Sequence, residues 1–342
     1  MNILVIKQTS LGDALHASGP IRAIKENFPA SRITLLTAAS SADIYRHNPW
    51  VSDLIILDLA AIKRDWRRKP GAAWRHIAAV LRAVRARRFD LAFDLQGLAR
   101  SVVFLYAARA GAKFVKGRWW GLARYRRPEL HAIAEMQGVL RCAGLSAADT
   151  TMEFFTDAES RRAVDDLLAR INPRGLPLAV FSPLSRWRSK DWPLARYVEL
   201  AARLCDGDAC VIVFTGAEAA RASIDDALAA ATVKSPATPS PATVVNLAGR
   251  LTLVQFAEVV ARARVVVSGD SFPMHLACAQ KTPAVALFGP TDEAKTGPIG
   301  AGHTVIRAPN CAKCDNPDCA RRCLDNISVD AVFNALAATL DG

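Results

Sequence analysis

The chain has 342 residues, is 51% hydrophobic and carries a net charge of +12. That length suits two domains of ordinary size, and the apolar content excludes global disorder. No apolar run reaches the ~18 residues a membrane span needs. Met1-Asn2 leads straight into a strand with no small-residue cleavage site, so a cytoplasmic protein is expected.

The apolar run at 3–6 predicts a first strand, followed by a helix over 15–27 that Phe28-Pro29 ends. Strands are expected at 32–36 and 54–57. Ile77, Val80, Leu81 and Val84 recur at helical spacing within 74–88. A strand at 91–94 and a helix over 97–110 complete this series. A polar helix at 157–170 precedes Asn172-Pro173-Arg174-Gly175, which reads as a linker. The second series has strands at 178–181, 211–214, 244–246, 265–267 and 284–288, with helices over 194–204, 218–231, 253–263 and 274–280 between them. The proline-rich stretch 235–241 reads as an exposed loop within it. The alternation implies parallel sheets with crossover helices. The expected fold is α/β, with doubly wound Rossmann-like domains at 1–171 and 172–327 and an amphipathic helix in 328–342.

Basic residues are concentrated in the first half: Lys63, Arg64, Arg67, Arg68, Lys69, Arg75, Arg82, Arg85, Arg87 and Arg88, then Arg118, Arg124, Arg126 and Arg127. Such a half suits nucleic acid, an anionic lipid headgroup, or a phosphorylated or carboxylated substrate. A solvated arginine-rich surface is the alternative. No nucleic-acid-binding signature accompanies the charge, which makes nucleic acid the weakest of these partners.

Two motifs at opposite ends of the chain carry the chemistry. Lys7-Gln8-Thr9-Ser10-Leu11-Gly12-Asp13 follows the first apolar run, and Ser268-Gly269-Asp270-Ser271-Phe272-Pro273-Met274-His275 follows Val265-Val266-Val267. Each is a buried strand running into a loop that opens a helix, where open α/β sheets bind ligands. Two such loops in two halves predict a cleft between domains. Asp13 suits either an N-cap or a general base reaching a substrate hydroxyl. Pro273 is placed as a first helical residue, with Ser271 or Asp270 as cap. The free N–H groups of that helix suit a diphosphate. Asp270 would repel a diphosphate, so capping or bonding a sugar hydroxyl is its expected work. His275 alone reads as a core or supporting histidine. Phe288-Gly289-Pro290-Thr291-Asp292 is a tight turn that shapes a base or ribose pocket, or is only a turn. The loop at 182–193 holds Ser185, Arg186, Arg188 and Lys190 between hydroxyls and two tryptophans. It suits an anionic leaving group without a metal; a charged surface loop is the alternative.

Of eight cysteines, Cys142, Cys205, Cys210 and Cys278 lie in apolar contexts and read as small core residues. Cys311, Cys314, Cys319 and Cys323 are clustered and include a Cys-x-x-Cys knuckle. Four such thiols suit tetrahedral zinc or iron. A reduced loop or a disulfide pair is the alternative. The sequence distance from Asp13 makes a metal there structural.

Four blocks in order resemble the heptosyltransferases of glycosyltransferase family 9: Ser10-Leu11-Gly12-Asp13 with His16; Phe89-Asp90-Leu91-Ala92-Phe93-Asp94-Leu95-Gln96-Gly97; Lys190-Asp191-Trp192-Pro193; and Asp270 through Ala277 with Phe288-Gly289-Pro290-Thr291. The resemblance implies a GT-B fold and inverting transfer of L-glycero-D-manno-heptose from ADP-heptose to a Kdo-containing lipopolysaccharide inner core. It implies Asp13 as base and Lys190 as the lysine on the donor phosphates. It places Ser185, Arg188, Gly216, Asp270, Ser271, Phe272, Pro273, Met274, His275, Gly289, Pro290 and Thr291 with the donor. Lys7, Ser10, Gly12, Lys63, Arg64, Arg67, Gln96 and Arg118 fall with the acidic acceptor. No catalytic metal is implied, and peripheral contact with the anionic inner membrane surface is expected.

Two features depart from the family. Its usual Asp-Thr-Gly is Asp270-Ser271-Phe272 here, which keeps a hydroxyl but adds a bulky side chain where close backbone approach is expected. The cysteine cluster is the other; some related autotransporter-modifying enzymes carry cysteine-bound iron. A protein or other glycan acceptor is therefore the second reading, and a non-catalytic ADP-sugar- or metal-binding module the third.

Overall fold

A computed structural model describes residues 1–125, 131–207, 210–231 and 243–340; Arg126, Arg127 and the 235–241 loop lie outside the described residues. The chain divides into two compact units, Met1–Phe155 and Thr156–Gly342.

The first unit runs β1 (Asn2–Lys7), α1 (Leu11–Leu15), α2 (Ser18–Asn27), β2 (Arg32–Ala38), α3 (Ala42–Tyr45), β3 (Asp53–Leu57), α4 (Leu59–Arg68), α5 (Pro70–Arg85), β4 (Arg88–Asp94), α6 (Ala99–Ala107), β5 (Arg109–Lys116), β6 (Ala123–Tyr125) and α7 (Ala132–Arg141). Its strands pair in parallel in the order β3-β2-β1-β4-β5-β6. Ile3, Leu4, Val5 and Ile6 of β1 are fully buried, as a strand covered on both faces requires. The expected helix over 15–27 is two helices. The break at His16 and Ala17 puts Pro20 in the first turn of α2, where its missing N–H breaks no intrahelical bond.

The second unit runs α8 (Ala158–Ile171), β7 (Leu178–Ser182), α9 (Leu194–Gly207), β8 (Val211–Phe214), α10 (Arg221–Ala230), β9 (Thr243–Asn246), α11 (Leu253–Ala261), β10 (Val265–Gly269), α12 (Phe272–Gln280), β11 (Ala284–Phe288), α13 (Glu293–Thr296), β12 (Thr304–Arg307) and α14 (Val329–Leu340). Its order is β12-β11-β10-β7-β8-β9, again all parallel. Thr252 and Gln255 form a capping box that starts α11. α14 buries Val329, Val332 and Leu336 in this unit's core, so it is no separate appendage.

The boundary falls before α8, not at Asn172-Pro173-Arg174-Gly175. Arg262 holds Asp165 of α8 at 2.7 Å and also pairs with Glu258, whose carboxylate accepts from Thr156. Asn172 instead turns the chain from α8 into β7, its side chain bonding both N–H and C=O of Leu176. One core assignment also changes: Cys142, next after α7, is exposed, whereas Cys210 and Cys278 are buried. Among the described residues no helix is long and apolar enough to cross a membrane.

Both sheets have the same wiring. The order reverses between β1 and β4 in one and between β7 and β10 in the other. A reversal leaves a crevice beyond the strand ends, because the two connections leave toward opposite faces. The loops after those four strands contain the central motifs.

Candidate active site

At the first switch point, Lys7, Gln8, Ser10, Gly12 and Asp13 leave β1 and Gln96 leaves β4. Gln8 N–H donates to Gln96 Oε1 at 2.8 Å, joining loops 88 residues apart. Asp94 Oδ1 accepts from the N–H groups of Gln96 and Gly97 and fixes the β4 loop. Burial, offset by those bonds, raises the Asp94 carboxyl above its ordinary value.

Asp13 is not the cap of α1. Ser10 occupies that position, and its hydroxyl donates to Asp13 Oδ2 at 2.8 Å. The carboxylate is thus oriented by a neighbour and partly open. Lys7 is buried; desolvation lowers its ammonium to about 8, while Asp13 pulls the other way. Lys63, Arg64 and Arg67 lie exposed on α4, and Arg118 is exposed beyond β5. Among the described residues no hydrogen bond or ion pair joins these four to the β1 loop.

At the second switch point, Lys190 Nζ donates to Asp270 Oδ2 at 2.7 Å, closing a pair 80 residues apart in sequence. Asp270 is only 3% exposed, so this is a desolvated ion pair rather than a surface one. The ammonium also lies 4.4 Å from the Trp187 ring centroid. Gly269 lets the loop close: a Cβ there would collide with the Lys190 carbonyl oxygen. Asp191 accepts from the Ser185 N–H at 2.7 Å, and Trp192 is anchored by its indole N–H to the Ile327 carbonyl at 3.0 Å. The loop is built, with Arg188 exposed on it.

Neither expected cap works as one. Ser271 holds the N-cap position of α12, but its hydroxyl bonds Ser268 and the Gly269 carbonyl, while Asp270 pairs with Lys190. Among the described residues no side chain caps the first turn of α12, which contains Pro273. His275 is buried with Nε2 3.9 Å from Asp270 Oδ1. Met274 is buried against Ala286 and Phe288, so its side chain belongs to the core. The Phe272 ring lies 6.4 Å from that of Phe256 on α11. Gly289, Pro290 and Thr291 are buried beside β11, and among the described residues Thr291 Oγ1 has no hydrogen-bond partner. Gly216 is exposed after β8.

The cysteine segment docks beside this second switch point. The Ser189 hydroxyl donates to the Asn316 carbonyl at 3.0 Å, and the Asp315 N–H donates to the Pro290 carbonyl at 2.8 Å. Arg307 bonds the carbonyls of Gly289 and Thr291 from below. The cluster's segment thus adjoins the Lys190 loop. Asn310, Lys313, Asp315 and Arg322 all have left-handed backbones, with φ of 56°, 49°, 47° and 43°. Such conformations persist only where surroundings impose them. Cys311, Cys314, Cys319 and Cys323 line one pocket of about 370 Å³. A hydrogen bond with Cys311, then burial, pushes the Cys323 thiol up to about 11. The donor chemistry fits a thiophilic metal, yet among the described residues no three His, Cys, Asp or Glu side chains are drawn together as a ligand set.

Residues 77–324 match the family described as Glycosyltransferase family 9 (heptosyltransferase). The chain belongs to glycosyltransferase family 9. As a family 9 glycosyltransferase it is similar to lipopolysaccharide heptosyltransferase 1 of Pseudomonas aeruginosa, at 28% identity, covering 93% of this chain and 87% of that one. Lipopolysaccharide heptosyltransferase 1 of Escherichia coli K12 is 26% identical, covering 99% and 100%. The crystal structure of a family 9 protein from Veillonella parvula superposes with a TM-score of 0.83 at 20% identity, covering 99% of this chain and 97% of that one. The two doubly wound units are those of the GT-B class that the motifs led us to expect.

Proposed function

We propose that this family 9 enzyme moves L-glycero-D-manno-heptose from ADP-heptose to an acidic, Kdo-containing lipopolysaccharide inner-core acceptor, with inversion. The observation that carries the reading is the pairing of chemistries at the two switch points. One has an oriented, accessible carboxylate. The other has a lysine–aspartate pair with a buried carboxylate, beside a helix start whose N-cap residue makes no side-chain cap bond. The lipopolysaccharide heptosyltransferases among its relatives support the donor and acceptor classes.

In this reading the acceptor oxygen attacks the anomeric carbon opposite the diphosphate. Asp13 takes its proton, and the bond from the anomeric carbon to the phosphate oxygen breaks with its electron pair leaving on ADP. Lys190, Arg188, Ser185 and the N–H groups opening α12 stabilise that charge, which assigns the work to protein groups rather than to a catalytic metal. Asp270, supported by His275, bonds the sugar. Gly216, Gly289, Pro290 and the unpartnered Thr291 hydroxyl shape the nucleoside pocket, with Ser271, Phe272 and Pro273 at its diphosphate end. Lys7, Gln96, Lys63, Arg64, Arg67 and Arg118 hold the acidic sugars. The enzyme works at the cytoplasmic, anionic face of the inner membrane. Mass spectrometry of a Kdo–lipid A acceptor incubated with ADP-heptose tests this: a gain of one heptose supports it, and tight ADP binding without transfer to that acceptor rejects it.

A pH dependence follows from Lys7. The folded ammonium loses its proton near pH 8 and the unfolded one near 10.5. Acceptor KM is therefore expected to rise about tenfold as pH climbs through 8, and Lys7→Met to abolish the dependence. Between those values the unfolded chain binds more protons, so this residue makes stability rise with pH, a slope that Lys7→Met should also remove.

We further propose that Cys311, Cys314, Cys319 and Cys323 hold a structural zinc or iron, which when bound supplies cross-linking and no chemistry on substrate. Elemental analysis should find about one equivalent per chain. Cys314→Ser/Cys319→Ser should lose it and bind ADP about tenfold more weakly, because the segment buttresses Ser189 and Pro290. Metal-free wild type with full ADP affinity would exclude this role.

A further inference from the structure

We propose that the α4–α5 turn docks the enzyme on an anionic phospholipid bilayer, with two indoles set at the headgroup level and cations around them. The proposal rests on the reading that the acceptor is a membrane glycolipid, and it names the surface that reaches the membrane.

Trp66 is 50% exposed and Trp74 57%, and their rings lie 5.7 Å apart across the turn. Neither closes a core: α4 buries only Ala61, and around Trp74 only Ala73 is buried in the first turn of α5. Lys63, Trp66 and Arg67 stand three and four residues apart, on one helix face. Lys63, Arg64, Arg67, Arg68, Lys69 and Arg75 are all exposed. Among the described residues only Arg64 meets a carboxylate, Asp65 at 3.4 Å. Some basic residues elsewhere in this unit do meet carboxylates: Arg22 with Glu153 and Asp149, Arg87 with Asp53, Lys116 with Glu135.

Paired, solvent-facing indoles are a cost in water, and contiguous exposed apolar surface marks a contact site. Tryptophan is favoured at the membrane–water boundary because its ring is apolar and its N–H needs a polar partner. A ring of unpaired cations around it complements a dense anionic surface. A proteinaceous partner would need a comparably dense acidic face, whereas an anionic leaflet offers it in every orientation of the turn.

The test uses the full chain and vesicles of phosphatidylethanolamine and phosphatidylglycerol free of lipopolysaccharide. Wild type should float with them at low salt, and brominated acyl chains should quench its tryptophan emission. Trp66→Ala/Trp74→Ala should bind about tenfold more weakly and lose most of the quenching, with unchanged thermal unfolding because both rings are exposed. Arg68→Gln/Lys69→Gln/Arg75→Gln should also bind at least about tenfold more weakly, chiefly at low salt. Equal flotation of the tryptophan variant and wild type would overturn the proposal. So would a wild type that ignores the vesicles but self-associates through this face, as sedimentation of the same variant would reveal. These vesicles contain no acceptor, so failed heptosyl transfer would reject the functional reading and leave this result standing.

Discussion

Replacing Asp13 with Asn is expected to lower heptosyl transfer by about 10²–10⁴-fold while leaving ADP affinity within about twofold of wild type. Asp13 follows the switch-point strand of one unit, whereas the Lys190–Asp270 pair proposed to hold the donor belongs to the other, so its loss should leave that pair intact. Nor should it unfold α1, because Ser10 holds the N-cap position and Asp13 caps nothing. Asn keeps the volume and an acceptor for the Ser10 hydroxyl but cannot take a proton. Ser10→Ala should cost far less, since it removes only the orienting bond. Rapid-quench transfer assays beside ADP calorimetry separate these effects. An active Asp13→Asn enzyme would move the base elsewhere. Asp94 is a poor substitute, because it is fully buried and bonds the backbone of its own loop.

The second large effect is expected at Lys190, in stability as well as rate. Lys190→Met strands the buried Asp270 carboxylate without its cation. Breaking one side of such a pair costs about 3–5 kcal/mol, far more than losing a surface ion pair. Transfer should fall by about 10²–10³-fold from loss of a positive group at the departing diphosphate. The double variant Lys190→Met/Asp270→Asn tells the two apart. It should recover most of the lost stability in urea unfolding, since no bare charge remains, yet recover none of the transfer. If transfer returned with stability, Lys190 would be a structural cation and the donor phosphates would be held by other groups.

How much of this was legible beforehand depends on the element. β1, β7 and β10 were readable because strands buried on both faces are continuous apolar runs. α8 was readable as a polar helix beginning at Asp157, and the structure adds that Asp157 caps it. β12, Thr304–Arg307, was not: it is a four-residue edge strand, exposed along half its length, with too short a pattern to register. β5 was not legible either, because Arg109–Lys116 carries Gly, Ala and three cations rather than an alternating face; the expected helix ran two residues into it. Gln8 was passed over because a glutamine after a strand is silent until Gln96 is known to lie beside it. For Asp270 a cap and a sugar contact were equally open while its partner Lys190 was unknown, and the contact of the cysteine segment with Ser189 has no signal in sequence.

The sequence by itself determined most of the central strands and longer helices, where the glycine- and proline-marked loops open, and which blocks carry acid, base and thiol. Those are local properties, written in periodicity and residue type. The tertiary structure alone decided strand order, and with it the neighbours of each loop. Only the reversal of order sets β1 beside β4 and β7 beside β10, bringing Gln8 to Gln96 and Lys190 to Asp270. Those contacts lie between residues far apart in the chain, so their energies appear only once the backbone has closed and the side chains have left water.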